Sequence, residues 1–292
     1  MSSNPYDFAA SEPEIPAKAI DSGLYIVATP IGNLADMSQR AIEMLRAADL
    51  IAVEDSRVTG KLLHHLGLKK RMRPYHDHSS EADRDALLAV ARDGVVVLVS
   101  DAGTPLISDP GYKLVRAARE AGIAVSTAPG ASAVIAALSI SGLPTDRFLF
   151  AGFLPSKAKA RSDAIAEIGN VKSTLVFYES GQRLGAALAA LAEQLGGREA
   201  VVARELTKKF EEVVSGTLPE LAERYAEAEP KGEIVLIVGP PGEVQAEQGD
   251  YESALKDALQ TLPPAKAAKE IAKRFGVDRA EVYERAMALK RS

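Results

Sequence analysis

The stretch "VVVLVSDAGTPLISDPG" (residues 95–111) decides the fold. Its first five residues are aliphatic without interruption, the composition of a strand covered on both faces. A loop of Gly, Pro and small polar residues follows. "SDPGYKLVRAARE" (108–120) then opens a helix, with Asp109 as the expected N-cap and Pro110 in the first helical position. The same succession recurs on either side. Leu24–Ala28 and Leu50–Val53 read as strands, and helices are expected over 38–48, capped by Asp36 or Ser38, over 59–66 and over 81–93. "IAVSTAPG" (123–130) supplies a fourth strand and 132–139 a further helix. Strand–helix alternation of this kind predicts an α/β domain with a mostly parallel sheet and helices on both faces.

The pattern restarts after "GLPTD" (142–146). "RFLFAGFLP" (147–155), "STLVFYES" (173–180), "EAVVARELT" (199–207) and "GEIVLIVG" (232–239) read as strands, with helices over 157–169, 181–195 and 218–228. The expected organisation is a disordered tail over 1–22, a first α/β domain over 23–145 and a second over 146–240. A polar linker over 241–249 and a small helical unit over 250–292 complete it. In "AAKEIAKRFGVDRAEVYERAMAL" (267–289), Ala272, Gly276 and Val282 have helix-turn-helix spacing: a small residue at the crossing, glycine in the turn, a branched residue on the second helix. That second helix sets Asp278, Glu281 and Glu284 against Arg279 and Arg285, which speaks against reading DNA and for an RNA or protein contact.

Composition narrows the function classes. There is no cysteine in the 292 residues, so disulfides, thiolate nucleophiles and Cys-ligated zinc are excluded. A signal peptide and a membrane span are not expected, because no long apolar run exists, and the expected compartment is the cytoplasm. The net charge of −5 argues against indiscriminate nucleic-acid binding. Basic residues are nonetheless clustered. Arg57, Lys61, Lys69, Lys70, Arg71 and Arg73 face only Asp77 over 57–78, and smaller clusters are Lys157, Lys159 and Arg161, and Arg204, Lys208 and Lys209. Beside glycine-rich loops, such clusters fit a polyanionic substrate.

In open α/β sheets ligands bind beyond the carboxyl ends of the strands. Those ends carry "TPIGNL" (29–34), "EDSRVTGKLL" (54–63), "SDAGTPLISDPG" (100–111) and "APGASA" (128–133) in the first half. The second half has "AGFLPSK" (151–157), "FYESGQR" (177–183), "ARELTKK" (203–209) and "KGEIVL" (231–236). The first, third and fourth loops lack lysine and arginine, and neither a Rossmann glycine fingerprint nor a P-loop is present. A dinucleotide or nucleoside triphosphate is therefore disfavoured. A neutral or zwitterionic adenosyl ligand, held by main-chain amides and carbonyls, fits better.

"LYIVATPIGNLADMS" (24–38), "EDSR" (54–57), "HDH" (76–78), "VSDAGTPLISDPGY" (99–112), "APGASA", "GFLP" (152–155), "FYES" with Arg183, and "ARELTK" (203–208) together resemble the tetrapyrrole-methylase-like (class III) methyltransferases. "EDSR" and "ARELTK" are most similar to the family's ribosomal RNA branch. Ser56 stands where that branch usually has Thr, and Ser79 where Asn is common. The resemblance implies two α/β domains with a cleft between them for S-adenosyl-L-methionine, a homodimer, and a cytidine 2′-hydroxyl of 16S rRNA in the small ribosomal subunit as methyl acceptor. By motif it places Pro30, Gly32, Ser100, Asp101, Ala102, Gly103, Ser132 and Ala133 on the methyl donor, together with Glu179, Leu206, Gly232, Glu233 and Ile234.

A ribose hydroxyl is a weak acid, so a general base would assist its attack. Loop-tip candidates are Glu54, Asp55, His76, His78, Glu205 and Lys208. Asp55, Lys208 and Glu54 are favoured for proton handling or electrostatic support, although Asp55 reads equally as a helix cap. Arg57, His76, His78, Lys157, Arg183 and Arg204 are the expected RNA contacts. His76 and His78 could face the same way, but no third ligand is in view and no metal is expected; His64 and His65 read as structural. The same motifs leave open a tetrapyrrole methyltransferase or a non-catalytic RNA-binding assembly factor.

Overall fold

The structure is a computed structural model that describes residues 20–76, 78–242, 248–275 and 277–290. Most of the expected tail, residues 243–247 of the linker, Asp77 and the turn residue Gly276 lie outside the described residues. The chain divides into two compact units, residues 1–132 and 133–292.

The first unit is built on β4 (Val95–Val99), all five residues of which are buried. Its neighbours are β1 (Gly23–Val27), β2 (Leu50–Val53), β3 (Met72–Pro74) and β5 (Val125–Ala128), in the order β3-β2-β4-β1-β5, with every pair parallel. The period of two along β4 splits its side chains between two cores. Val96 and Leu98 pack with Leu87, Leu88 and Ala91 of α3 (Glu81–Asp93) and Leu114 and Ala118 of α4 (Tyr112–Glu120). Val95, Val97 and Val99 pack with Ala41, Met44 and Leu45 of α1 (Gln39–Ala47) and Leu63 of α2 (Ser56–His65). Each such side chain removed from water contributes about 2 kcal/mol, so an uninterrupted aliphatic run is what a strand between two helical layers needs.

The helices start where polar side chains satisfy their first amides. Ser38, not Asp36, caps α1 through Ala41 N at 3.2 Å, and Ser80 and Asp83 form a capping box on α3. Asp55 caps α2 through Arg57 N at 2.8 Å, so that helix begins at Ser56, ahead of the expected residue 59. The expected cap at Asp109 is not made. Gly111, at φ 137°, occupies the N-cap of α4 without a side-chain bond, and the Asp109 carboxylate is turned instead toward the Ser100 hydroxyl. A backbone that turns at Gly111 places the helix start beyond reach of Asp109.

In the second unit the sheet order is β6-β7-β10-β8-β9. The strands are β6 (Phe148–Phe153), β7 (Thr174–Ser180), β8 (Glu199–Arg204), β9 (Glu212–Thr217) and β10 (Glu233–Val238). Only β6 and β7 pair in parallel; the other pairs are antiparallel. One face packs on α6 (Ala158–Ile168), α7 (Gly181–Leu195) and α8 (Leu218–Arg224), with Phe177, Leu184, Leu188 and Leu236 fully buried between. The helix α5 (Ala133–Ser141) packs on β8 and β10, although the sequence places it with the first domain. It joins this unit because its apolar side chains find a strand face there.

Strands β3 and β9 are absent from the sequence reading. Both are edge strands, half-exposed, and so lack the apolar run that marks a buried strand.

The C-terminal segment holds three helices: α9 (Gln248–Thr261), α10 (Pro264–Phe275) and α11 (Arg279–Leu289). Helix α9 begins inside the stretch expected as linker. Tyr251, Leu255, Ala267, Ala268, Ile271, Val282 and Ala286 form a core of their own, and Asp278 caps α11 through Ala280 N at 2.8 Å. No helix among the described residues is long and apolar enough to cross a membrane.

Candidate functional site

Strands β1 and β4 lie side by side, yet the chain leaves β1 toward β2 and leaves β4 toward β5, in opposite directions across the sheet. Their loops diverge at the carboxyl end, the switch point at which open sheets form a ligand crevice. Four loops are laced together there. Thr29 N donates to Gly103 O at 2.8 Å and Gly103 N to Thr29 O at 3.0 Å, which joins the first loop to the third. Thr104 Oγ1 donates to Ala131 O at 3.1 Å, joining the third to the fourth. The second enters through Asp55 N, which donates to Asp101 Oδ1 at 3.1 Å, and through Glu54 Oε2, which accepts from Asp101 N at 3.5 Å. Ser100 is 2% exposed beneath this lacing, whereas Gly32, Asp101 and Ala102 are exposed and Pro30, Ser132 and Ala133 half-exposed. Ala133 is the first residue of α5, with Ser132 just ahead of it.

The charge of this patch is carboxylate. Burial pushes Asp109 up to about 6, the Glu54 and Asp101 charges add to that rise, and the Ser100 hydroxyl bond opposes it. Burial also raises Asp101, against the bond from Asp55 N. Asp109 escaped the sequence reading because it passes for a cap; the glycine two residues on, a poor early-helix residue, is the signal that could have separated the two. Since its folded value lies above the unfolded one, the folded chain keeps a proton that the unfolded chain has lost between about pH 4 and 6. Its contribution therefore falls as pH rises through that window and is constant above it. Asp109→Asn is expected to be more stable than the parent by about 1 kcal/mol at pH 7.5, after allowance for its partial exposure, and equal to it at pH 4. Urea unfolding at the two pH values checks this; an equal difference at both would remove the titration as cause.

Asp55 is differently placed. The Arg57 guanidinium, at 2.6 Å, and its own cap bond hold it near 2. Arg57 is otherwise outside the protein surface, its side chain 86% exposed. His76 and His78 are exposed, their rings 6.5 Å apart and tilted, with His76 Nδ1 3.4 Å from Ser79 Oγ. Among the described residues no three His, Cys, Asp or Glu side chains gather as a metal would require. His64 and His65 are exposed in the last turn of α2.

The second unit has its own polar knot. Lys208 Nζ lies 2.8 Å from Glu205 Oε1 and 2.8 Å from Glu233 Oε2, and Glu233 N donates to Glu205 Oε1 at 3.1 Å. Burial pulls the lysine down, but its bonds to both carboxylates outweigh this and leave its pKa raised. The bond from Lys208 holds Glu205 below the ordinary range. Lys208 is thus a fixed cation. Glu205 and Thr207 adopt left-handed φ of 50° and 65°, with Leu206 buried between them. Gly232, at φ 104°, leaves room for Glu205; a Cβ there would come within 2.5 Å of Glu205 Cδ.

Glu179, 3% exposed, faces inward to Arg183 at 3.3 Å and to Ser180 N at 2.9 Å, and its burial raises its pKa against those bonds. Arg183 also donates to Leu154 O. Arg204 is occupied by Glu212 at 3.0 Å and Lys231 O at 3.1 Å, so its guanidinium is held inside the β8–β9 edge. Lys157 is exposed at the start of α6.

Comparison with known proteins agrees with this architecture. The family model for tetrapyrrole (corrin/porphyrin) methylases matches residues 23–222, and that for the RsmI C-terminal HTH domain matches 245–290. The ribosomal RNA small subunit methyltransferase I of Erythrobacter litoralis is 54% identical, over 94% of this chain and 98% of its own length. That of Mesorhizobium japonicum is 48% identical over 95% of each chain. Among solved structures, diphthine synthase superposes with a TM-score of 0.59 at 18% identity, over 74% of this chain and 89% of that one. A uroporphyrin-III C-methyltransferase from Thermus thermophilus, complexed with S-adenyl homocysteine, superposes with a TM-score of 0.51 at 23% identity, over 74% and 97%. At those identities the superpositions show the fold. The family match over most of the chain and the two near-full-length relatives show more: this chain belongs to the tetrapyrrole (corrin/porphyrin) methylase family.

Proposed function

We propose that the protein transfers the methyl group of S-adenosyl-L-methionine to the ribose 2′-hydroxyl of a cytidine in 16S rRNA of the small ribosomal subunit, in the cytoplasm and as a homodimer. The observation that carries the reading is the 54% identity over nearly the whole chain to a relative named for small-subunit ribosomal RNA. The chemistry of the laced loops supports the donor. S-adenosylmethionine offers a cationic sulfonium, an ammonium group and a ribose diol, and carboxylates with main-chain groups suit these where phosphate clamps would not. Pro30 and Gly32 would wall it, Ser100–Gly103 would approach it by backbone, Asp101 would meet its hydroxyls, and Ser132 and Ala133, at the start of α5, would receive its carboxylate. Glu179, Leu206, Gly232, Glu233 and Ile234 are proposed for the donor as well, Leu206 through the Lys208 knot. Arg57, His76, His78 and Lys157, all exposed, are proposed for the RNA.

When bound, the donor supplies an electrophilic methyl group for in-line displacement. Most of the protein's contribution is then positioning. Of the candidates for proton handling, Lys208 is a fixed cation and suits electrostatic support, while Asp55 is a weak base at about 2 and a helix cap. Asp55→Asn keeps a capping side chain and is expected to retain methyl transfer within about threefold. A loss of about a hundredfold or more would make Asp55 the base instead.

The function is tested with methyl-labelled S-adenosylmethionine and small subunits from a strain lacking the modification. Label in an alkali-stable, cytidine-containing dinucleotide of 16S rRNA is expected. Label on a base, or on a tetrapyrrole precursor with none in RNA, would overturn the reading.

A further inference from the structure

The β6 strand is the edge of its sheet, and its sequence, "FLFAGF", carries none of the charges that normally guard an exposed edge. Its register explains where the rings go. Phe148 pairs with Thr174 and Phe150 with Val176, on the face opposite the α6–α7–α8 core, while Leu149 pairs with Leu175 toward that core. Strict alternation would send Phe153 to the core side. A bulge between Phe150 and Phe153, with Gly152 at φ 66°, inserts one residue and returns Phe153 to the outer face opposite Tyr178. The ring of Tyr178 stands edge-on to Phe150 at 4.8 Å and tilted to Phe153 at 5.6 Å. On this face α5 covers β8 and β10, and at the β6 end, among the described residues, Phe148 is 43% and Phe153 55% exposed.

The chain then runs straight into a basic loop. Lys157 and Lys159 are exposed four and six residues after Phe153, the second in the first turn of α6 and paired with Asp163 at 3.2 Å. The loop before them is held by Arg183, which donates to Leu154 O, and Arg161, which donates to Ser156 O at 3.2 Å. A rigid sheet face with partly exposed rings, followed within six residues by two exposed lysines, has the two elements of single-stranded nucleic-acid binding: π-faces for unstacked bases and charge for the backbone. We propose that the Phe148–Phe153–Tyr178 face, with Lys157 and Lys159, binds an unpaired segment of the RNA substrate and stacks at least one of its bases. The proposal rests on the reading of the protein as an RNA methyltransferase, and it commits to RNA because the cations complement phosphate.

The test is Phe153→Leu against Phe153→Trp in the full-length protein, read by affinity for a short single-stranded 16S fragment, by KM for small subunits and by sedimentation. Leucine keeps an apolar surface and loses the π-face. It is expected to weaken RNA binding and raise KM about tenfold, with kcat and S-adenosylmethionine affinity unchanged, while tryptophan restores both. Equal RNA affinity in the parent and both variants would overturn the proposal, as would a change in sedimenting mass without a change in RNA affinity, which would make the face a subunit contact. Methyl transfer to RNA by the parent is measured in the same series, so failure of the function reading would show separately as no transfer at all.

Discussion

Replacing Gly181 by alanine is expected to destabilise the second unit by about 3 kcal/mol. Gly181 is the first residue of α7, and a Cβ built on it falls inside the van der Waals radius of the Pro230 carbonyl oxygen, with Pro230 C only 2.6 Å away. Both obstacles are backbone, so no rotamer change can relieve them. The helix must shift, and it carries Leu184, Leu188 and Leu191, all fully buried against the sheet. The same displacement would carry Arg183 away from Glu179 and from the Leu154 carbonyl. Urea unfolding checks the effect, with Gly197→Ala as control, since nothing lies within 4 Å of a Cβ there. A midpoint for Gly181→Ala equal to that of the parent would contradict the packing.

Lys208→Met is expected to lower S-adenosylmethionine affinity at least tenfold and to cost about 2 kcal/mol of stability near neutral pH. The lysine joins Glu205 and Glu233 across a turn in which two residues with side chains, one of them β-branched, hold left-handed backbone. Such conformations cost about 1–3 kcal/mol each and persist only where neighbours enforce them. Methionine keeps the length of the side chain but removes the charge, leaving the half-buried Glu205 carboxylate without its cation. The turn is then free to relax, and Leu206 to leave its buried position. The pH dependence has a defined sign. Glu205 is lowered in the folded chain, so its share of the stability is present above the ordinary glutamate range and is lost as pH falls through the folded value. Lys208 is raised, so its share is present below the ordinary lysine range and is lost as pH rises through the folded value. The difference between parent and variant should form a plateau between about pH 5 and 10 and narrow at both ends. A difference that does not vary with pH would mean that packing, not charge, holds the turn. Calorimetric titration of the donor supplies the affinity.

Legibility in the sequence followed burial. The aliphatic run of β4 and the amphipathic helices α3 and α7 could be read because one or both faces meet a core, and that demand is written into residue spacing. Edge strands β3 and β9 could not, since a half-exposed strand of mixed composition resembles a loop. The second sheet was read as α/β, but its antiparallel pairs depend on which strands become neighbours, a property that no local window contains. Among the candidate site residues, the loop positions from Pro30 to Ala133 were chosen by their place after strands. Asp109 was misread because a cap and a buried carboxylate have the same local sequence, and only the turn at Gly111 separates them.

The sequence alone therefore determined the succession of the buried strands and the helices packed on them, the absence of phosphate-gripping residues from the first, third and fourth loops, and the family resemblance. These depend on residue type and short-range spacing. The partners of the charged groups were decided only by the tertiary structure. Lys208 reaches Glu233, Arg204 is taken up by Glu212, and Thr29 pairs with Gly103 because sheet order and register bring distant segments within hydrogen-bond reach. The outward turn of Phe153 has the same origin. One inserted residue in an edge strand reverses which face a side chain occupies, and that reversal exists only where β6 is laid against β7.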